Sequence, residues 1–237
     1  LVLYYPFNET DGSTIQDYSS ELRDAQAIDA SLDTDGQFGS GIEFFPDLNN
    51  SRILLPEGNS FSVNSKIWTL STWFYAPLPT TGADDFHALF NEYLEPYVAF
   101  NFSPKSLMLF DGSSFSDTTY EFDDAPGWHH LVIRSSVSSM NFFVDGVLED
   151  SFNKGILLNI ESIGNLFGGY GTFAEKMDDF RIYSRGLTNS EVYELYGNKE
   201  GDFGYHPYQD FPPEFDNIPE VLVPKNPVVY WTFNELN

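Results

Sequence analysis

Apolar positions along this chain fall in short runs separated by turn residues. The runs mark candidate strands at 1–7, 42–45, 52–55, 68–76, 88–91, 97–102, 107–111, 118–122, 128–135, 140–144, 147–152, 162–167 and 177–183. In IWTLSTWFYAP, strict alternation puts Trp68, Leu70, Thr72 and Phe74 on one face and Thr69, Ser71 and Trp73 on the other, so Trp73 belongs to a different layer. In GWHHLVIRSS the same rule separates His129 from His130, so the two cannot share one ion in a regular strand. NFFVDGVLEDS reads as a hairpin closed by Asp145-Gly146, a pair suited to a type I′ turn. Many short strands, with 18 Gly and 14 Pro between them, predict an all-β sandwich or jelly roll.

One helix breaks the pattern. Thr188 is an N-cap and Glu191 follows three residues later, a capping box; Leu187 and Val192 flank it as a hydrophobic staple. Val192, Leu195 and Tyr196 share a face, and Gly197 is placed to end the helix. So short a helix must dock on the sheets. Beyond it, residues 198–227 are rich in Pro, Gly and acids without period, and read as a semi-extended linker. Then VVYWTFNELN repeats the opening LVLYYPFNET: Tyr4, Phe7, Asn8 and Glu9 match Tyr230, Phe233, Asn234 and Glu235 at a constant offset of 226. The expected organisation is a domain at 1–197, a linker at 198–227 and, at 228–237, the first strand of a next repeat. Pairing of that last segment with a neighbouring molecule is the other reading that gives it a function, and a final strand resembling the first by chance is the bland one.

Charge changes the picture. The chain carries 36 Asp plus Glu against 11 Lys plus Arg, a net charge of −25, which disfavours nucleic acid and anionic membranes and suits divalent cations. Solubility alone would also account for it. There is no cysteine, so thiol catalysis, disulfides and thiolate metal sites are excluded. No apolar run approaches a membrane span. The chain opens inside an apolar strand, as an excised or mature fragment does. The absence of cysteine leans toward a microbial or algal surface protein.

Eight segments in order, LVLYYPFNE, DYSS, DGQFGSGIEF, IWTLSTWFYAP, GWHHLVIRSS, NFFVDGVLEDS, GNLFGGY and MDDFRIYSRGLTNSEVYELY, resemble the laminin-G-like, concanavalin A-like jelly-roll superfamily over residues 1–197. The resemblance implies a two-sheet antiparallel jelly-roll sandwich, six or seven strands a sheet, with one short C-terminal helix. It also implies an extracellular or cell-surface location and a part in recognition or adhesion within a tandem-repeat protein.

The adjacent Asp178 and Asp179 raise a metal question. Alternation groups Asp178 with Phe180 and Ile182, which points Asp178 toward the core, where a carboxylate must be hydrogen-bonded, protonated or bound to a cation. The resemblance implies a structural calcium where the first strand and its loop meet this late strand, and Asp17 matches the family's aspartate before Ser-Ser. The expected ligands are Asp17 and Asp178 with loop carbonyls, and Asp11 or Asp24 nearby. Glu21-Leu22-Arg23-Asp24 replaces the family's usual Gly-Asn-Gly-Asn, and Arg23 adds a positive charge. The competing reading has Asp178 capping a turn through backbone amides.

Catalytic patterns are weak. Glycoside hydrolases of the superfamily use Glu-x-Asp-x-Glu on a strand. Here Glu214, Asp216 and Glu220 have the wrong spacing and lie in the linker, and EFDD at 121–124 lacks a third carboxylate. His87, His129, His130 and His206 read as packing or surface hydrogen-bonding residues, and GGYG at 168–171 as a turn. No Ser-His-Asp set, phosphate loop or HExxH occurs. The expectation is no enzyme activity, with a glycoside hydrolase as the minor alternative. Sequons stand at Asn8, Asn49 and Asn101. A binding module remains, for glycans or other surface proteins, with Tyr93, Tyr97, Phe115 and Tyr120 as candidate platforms in the acidic, aromatic segment 79–126. Against it stand packing of those rings in the sandwich, and a structural array without small ligand.

Overall fold

Strand alternation and turn chemistry give two facing layers. The computed structural model describes residues 1–45, 48, 50–55, 61–80, 86–91, 96–165 and 171–197. The described part of the chain falls within one unit, Leu1–Asp202. The proposed linker and repeat strand, Tyr93, Asn49, His206, most of GGYG and the Glu214–Glu220 acids lie outside the described residues.

Among the described residues the strands run, in order, β1 (Leu3–Tyr5), β2 (Thr14–Ile15), β3 (Ala25–Ile28), β4 (Ala30–Asp35), β5 (Ser40–Phe44), β6 (Arg52–Leu54) and β7 (Phe61–Val63). There follow β8 (Trp68–Ala76), β9 (Phe86–Ala88), β10 (Phe90–Asn91), β11 (Tyr97–Asn101), β12 (Ser106–Phe110) and β13 (Phe115–Glu121). The last are β14 (Gly127–Ser135), β15 (Met140–Val144), β16 (Val147–Phe152), β17 (Leu158–Ile160), β18 (Ser162–Ile163) and β19 (Lys176–Tyr183), before helix α1 (Asn189–Gly197).

The first layer is an antiparallel sheet of eight strands in the order β16-β15-β14-β8-β19-β5-β4, with β1 also on β19. That is one or two strands more than expected. The second layer combines β13-β12-β11-β9, β10-β18-β6-β3-β2 and β17-β7. Leu89 joins two of these pieces: its N–H donates to Val98 and its carbonyl accepts from Gly164, each at 2.8 Å. Short strands such as β2 and β7 escape the sequence pattern because two or three residues show no period.

The hairpin forms as expected. Asp145 and Gly146 both take positive φ, 50° and 77°, between β15 and β16. Trp68, Phe74, Phe90, Phe100, Phe142, Phe173 and Phe180 fill the space between layers, each at most 1% exposed. Such a side chain contributes roughly 1.5–3 kcal/mol on burial.

The other face of the first sheet is covered by α1. Val132, Phe143, Tyr183, Leu187, Val192 and Leu195 form a second buried cluster there. The capping box closes as the sequence predicts: the Thr188 N–H donates to Glu191 at 2.7 Å, and the Glu191 N–H to Thr188 Oγ1 at 3.2 Å. Arg134 ties the helix to β14 by donating to the Leu187 carbonyl at 2.7 Å and to Asn189 Oδ1 at 2.9 Å.

Candidate functional site

The opening and closing strands meet. Leu3 pairs with Ile182, Tyr4 with Arg181 and Tyr5 with Phe180. The first expected ligand, Asp17, is buried beside this seam. Its Oδ1 accepts the N–H groups of Tyr4 at 2.9 Å and Ser19 at 2.8 Å; its Oδ2 accepts Ser19 Oγ–H at 2.8 Å and the Arg23 N–H at 2.9 Å. A carboxylate offers about four acceptor directions, so this one is saturated by β1 and its own loop. Asp17 thus caps backbone amides, and Asp178 does so as well, as the competing reading expects, by accepting the Phe38 N–H.

Asp178 needs a correction of facing. A bulge interrupts β19: Asp178 pairs with Trp73, but Arg181 pairs with Ser71. Asp179 sits in the bulge with φ of 54° and an ion pair to Arg181 at 2.8 Å. The extra residue reverses the alternation. Phe180 and Ile182 face the core between the layers, while Asp178 shares Trp73's face on the side of α1. Asp178 is nonetheless fully buried. Its Oδ2 accepts the Phe38 N–H at 2.8 Å, and its Oδ1 has no hydrogen-bond partner. Burial pushes this carboxyl up to about 8, against the pull of the Phe38 N–H and with help from the Asp179 charge. Gly36 is required beside it, because a Cβ there would stand 2.4 Å from the Ser40 carbonyl oxygen and 2.8 Å from Asp178 Oδ2.

The structure therefore brings both acids to the strand seam but gives them different tasks. Only Asp178 keeps an oxygen that a cation could use. Among the described residues, no three His, Cys, Asp or Glu side chains group to hold a metal. Asp24 Oδ1 accepts the Asp17 N–H at 3.0 Å, and Asp11 is exposed.

Next to Asp178, Trp73 packs against both His130, at 4.9 Å, and Tyr196 of α1, at 5.9 Å, which are themselves 6.4 Å apart. His130 Nε2 lies 2.8 Å from Ser71 Oγ. That distance suits a nucleophile and its base, but both groups are buried and His130 Nδ1 meets no carboxylate. Burial, with the nearby Arg181 charge, pushes the imidazole down to about 3, so it stays neutral. His129 lies on the opposite face, as alternation requires, stacked on Phe74 at 5.8 Å.

A second arrangement occupies the β9, β11, β12 and β13 sheet. Val98, Phe100, Leu107 and Leu109 point toward the first layer; Phe100 meets Phe122 at 6.0 Å, and Phe122 meets Phe74 at 5.6 Å. Alternate residues point the other way. There Phe86 and Tyr97 stack at 6.1 Å, Tyr97 and Phe110 lie 5.2 Å apart, Phe110 and Phe115 4.9 Å, and Phe115 and Phe86 6.2 Å, closing a ring of four. Phe115 is 55% exposed. On the same face Asn101 Nδ2 donates to the exposed Asp117 Oδ1 at 2.8 Å. Tyr97 and Phe115 were named from sequence; Phe86 and Phe110 were missed, though alternation in FHALF and SLMLF held the signal. Tyr120 belongs elsewhere, edge-on to Phe122 at 5.0 Å.

Comparison with known proteins follows the fold. The family model described as concanavalin A-like lectin/glucanases superfamily matches residues 47–193, more than half of the chain. Usherin of Mus musculus is 31% identical over 86 residues, 32% of this chain but 2% of Usherin. The binding domain of Paraclostridial Mosquitocidal Protein 1 superposes with a TM-score of 0.59 at 21% identity, over 83% of this chain and 51% of that one. Domain 4 of AbnA, a GH43 extracellular arabinanase from Geobacillus stearothermophilus solved with arabinotriose, gives 0.59 at 17% identity, over 83% of this chain and 98% of that domain. The chain thus spans a small fraction of its curated relative and about half of the toxin domain. No helix among the described residues is long and apolar enough to cross a membrane.

Proposed function

This chain belongs to the concanavalin A-like lectin/glucanases superfamily, and from that premise we propose that it is a non-catalytic extracellular recognition module that binds neutral glycans on the Phe86–Tyr97–Phe110–Phe115 face. The observation that carries this is the Phe115 ring, 55% exposed at the rim of the four-ring group whose Tyr97 is buried in the core, with the Asn101–Asp117 pair on the same face. Aromatic faces receive the C–H face of a sugar, and an amide with a carboxylate serves its hydroxyls. The charge of −25 repels sulfated or sialylated chains and leaves neutral ones. The resemblance to AbnA domain 4, solved with arabinotriose, and to a toxin binding domain supports a module that binds rather than cuts.

In this reading calcium has a stabilising part. Of the two expected ligands, Asp178 would offer Oδ1 to the ion, whereas both oxygens of Asp17 already accept hydrogen bonds. A glycan array with the intact chain tests the ligand. Selective retention of neutral oligosaccharides, lost in Phe115→Ala, is the expected result. Silence across the array, or equal retention by the variant, would overturn it.

A further inference from the structure

The outer face of the first sheet is roofed over only part of its area. Val192 and Leu195 of α1 cover Val132, Phe143 and Tyr183, and Tyr196 is stacked on Trp73 at 5.9 Å. Two residues farther along β14 and β8 the same face carries Trp128 and Tyr75. They oppose each other in register and meet edge to face, with ring centroids 5.6 Å apart and planes at 80°. Both are half-buried, so each ring keeps part of its surface in solvent.

The next two strands add charge. Met177 pairs with both Phe74 and Ile42 in the core, so the adjacent Lys176 and Glu43, which pair with each other, point outward. Trp128, Tyr75, Lys176 and Glu43 thus form one row across β14, β8, β19 and β5, which are neighbours in the sheet. Neither charged side chain has a hydrogen-bond or ion-pair partner among the described residues. Other rings on this face already hold a cation: Arg181 lies over Tyr4 at 4.6 Å and Arg134 over Phe143 at 4.8 Å. Among the described residues no such cation lies over Trp128 or Tyr75.

We propose that this row docks an extended segment of a partner protein that carries an arginine, an acidic residue and a second basic residue at alternate positions. The guanidinium enters the Trp128–Tyr75 corner, where an aromatic face attracts it. The acid meets Lys176, and the second base meets Glu43. The spacing agrees: strands stand about 4.8 Å apart, which puts Lys176 about 7 Å and Glu43 about 12 Å from the middle of the ring pair, while alternate side chains of an extended segment recur about every 6.6 Å. The charge of −25 draws a basic partner in, and the order of charges along the row fixes its register. The row lies on the layer opposite the Phe115 face and is independent of it.

Two blocked peptides of one composition test this. The first has Arg, Glu and Lys in that order at alternate positions between glycines; the second has the Glu and Lys exchanged. Binding of each to the intact chain is read by fluorescence anisotropy at low salt. Expected are saturable binding of the first peptide in preference to the second, loss of that binding in Tyr75→Ala and Trp128→Ala, and its retention in Trp128→Phe. The swap Lys176→Glu/Glu43→Lys should reverse the preference, and it leaves every ring in place, so the result does not depend on the ring variants folding. Equal binding of the two peptides by the wild type, binding of neither, or an unchanged preference in the swapped chain overturns the proposal. Oligosaccharide retention by the Phe115 face is read separately, so failure of one leaves the other standing.

Discussion

Asp178 and Phe180 are two residues apart on one strand, yet they face opposite sides of the sheet. The bulge at Asp179, with φ of 54°, separates them. It places a carboxyl with one unpartnered oxygen beneath α1 rather than in the central core.

Stability should respond to this group in calcium-free buffer. The folded-state value of Asp178 is raised from 3.8 to about 8, so between those limits the folded protein holds a proton that the unfolded chain has released. Its contribution is fully present below the unfolded value and is lost as pH rises toward 8. His130 acts in the opposite sense below its ordinary 6.5, because the folded imidazole, pushed down to about 3, refuses a proton that the unfolded one takes. Between pH 6.5 and 8 Asp178 therefore acts without that offset. Urea denaturation should show stability falling by up to about 1.4 kcal/mol per pH unit there. Asp178→Asn should flatten the slope.

Calcium should raise the melting temperature of the chelator-treated chain. Asp178→Asn should lose that response and Asp17→Asn should keep it, since Asp17 has no acceptor to spare. Isothermal titration on the two variants checks the assignment. Equal calcium heats for wild type and Asp178→Asn would remove the ion from this position.

Asp17→Ala should destabilise the module whether or not calcium is present. It leaves the N–H groups of Tyr4, Ser19 and Arg23 without their acceptor, at a cost of about 1–3 kcal/mol for each group that stays dry. Chemical denaturation with and without chelator should give the same loss.

Two phenylalanines on one sheet should behave differently. Phe115→Ala should change stability little, being more than half exposed, while removing saccharide retention. Phe100→Ala, on the buried face, should cost about 3–5 kcal/mol. A Phe115→Ala chain that melts far below wild type would mean that its ring is packing, not platform.

Local rules made much of this fold legible. Thr188 with Glu191 announced the helix, Asp145-Gly146 announced the hairpin, and alternation put Trp73 on the face opposite Trp68, Leu70 and Phe74. Asp178 was misplaced because a bulge at a non-glycine residue leaves no mark on the hydrophobic pattern. The part played by Asp17 was hidden for another reason. Its four donors come from Tyr4, Ser19 and Arg23, and only the folded loop shows that they converge. Tyr97 and Phe115 were readable as aromatics in an unusual segment, but their assembly with Phe86 and Phe110 depends on the register of β11 and β12.

Pairing of Leu3 with Ile182 also governs when the protein can finish folding. Within the module, the earliest synthesised strand waits for nearly the last one. Until then the rings of Tyr5 and Phe7 lack the hydrophobic shelter that buries them in the folded module. Closure over so long a separation is slow.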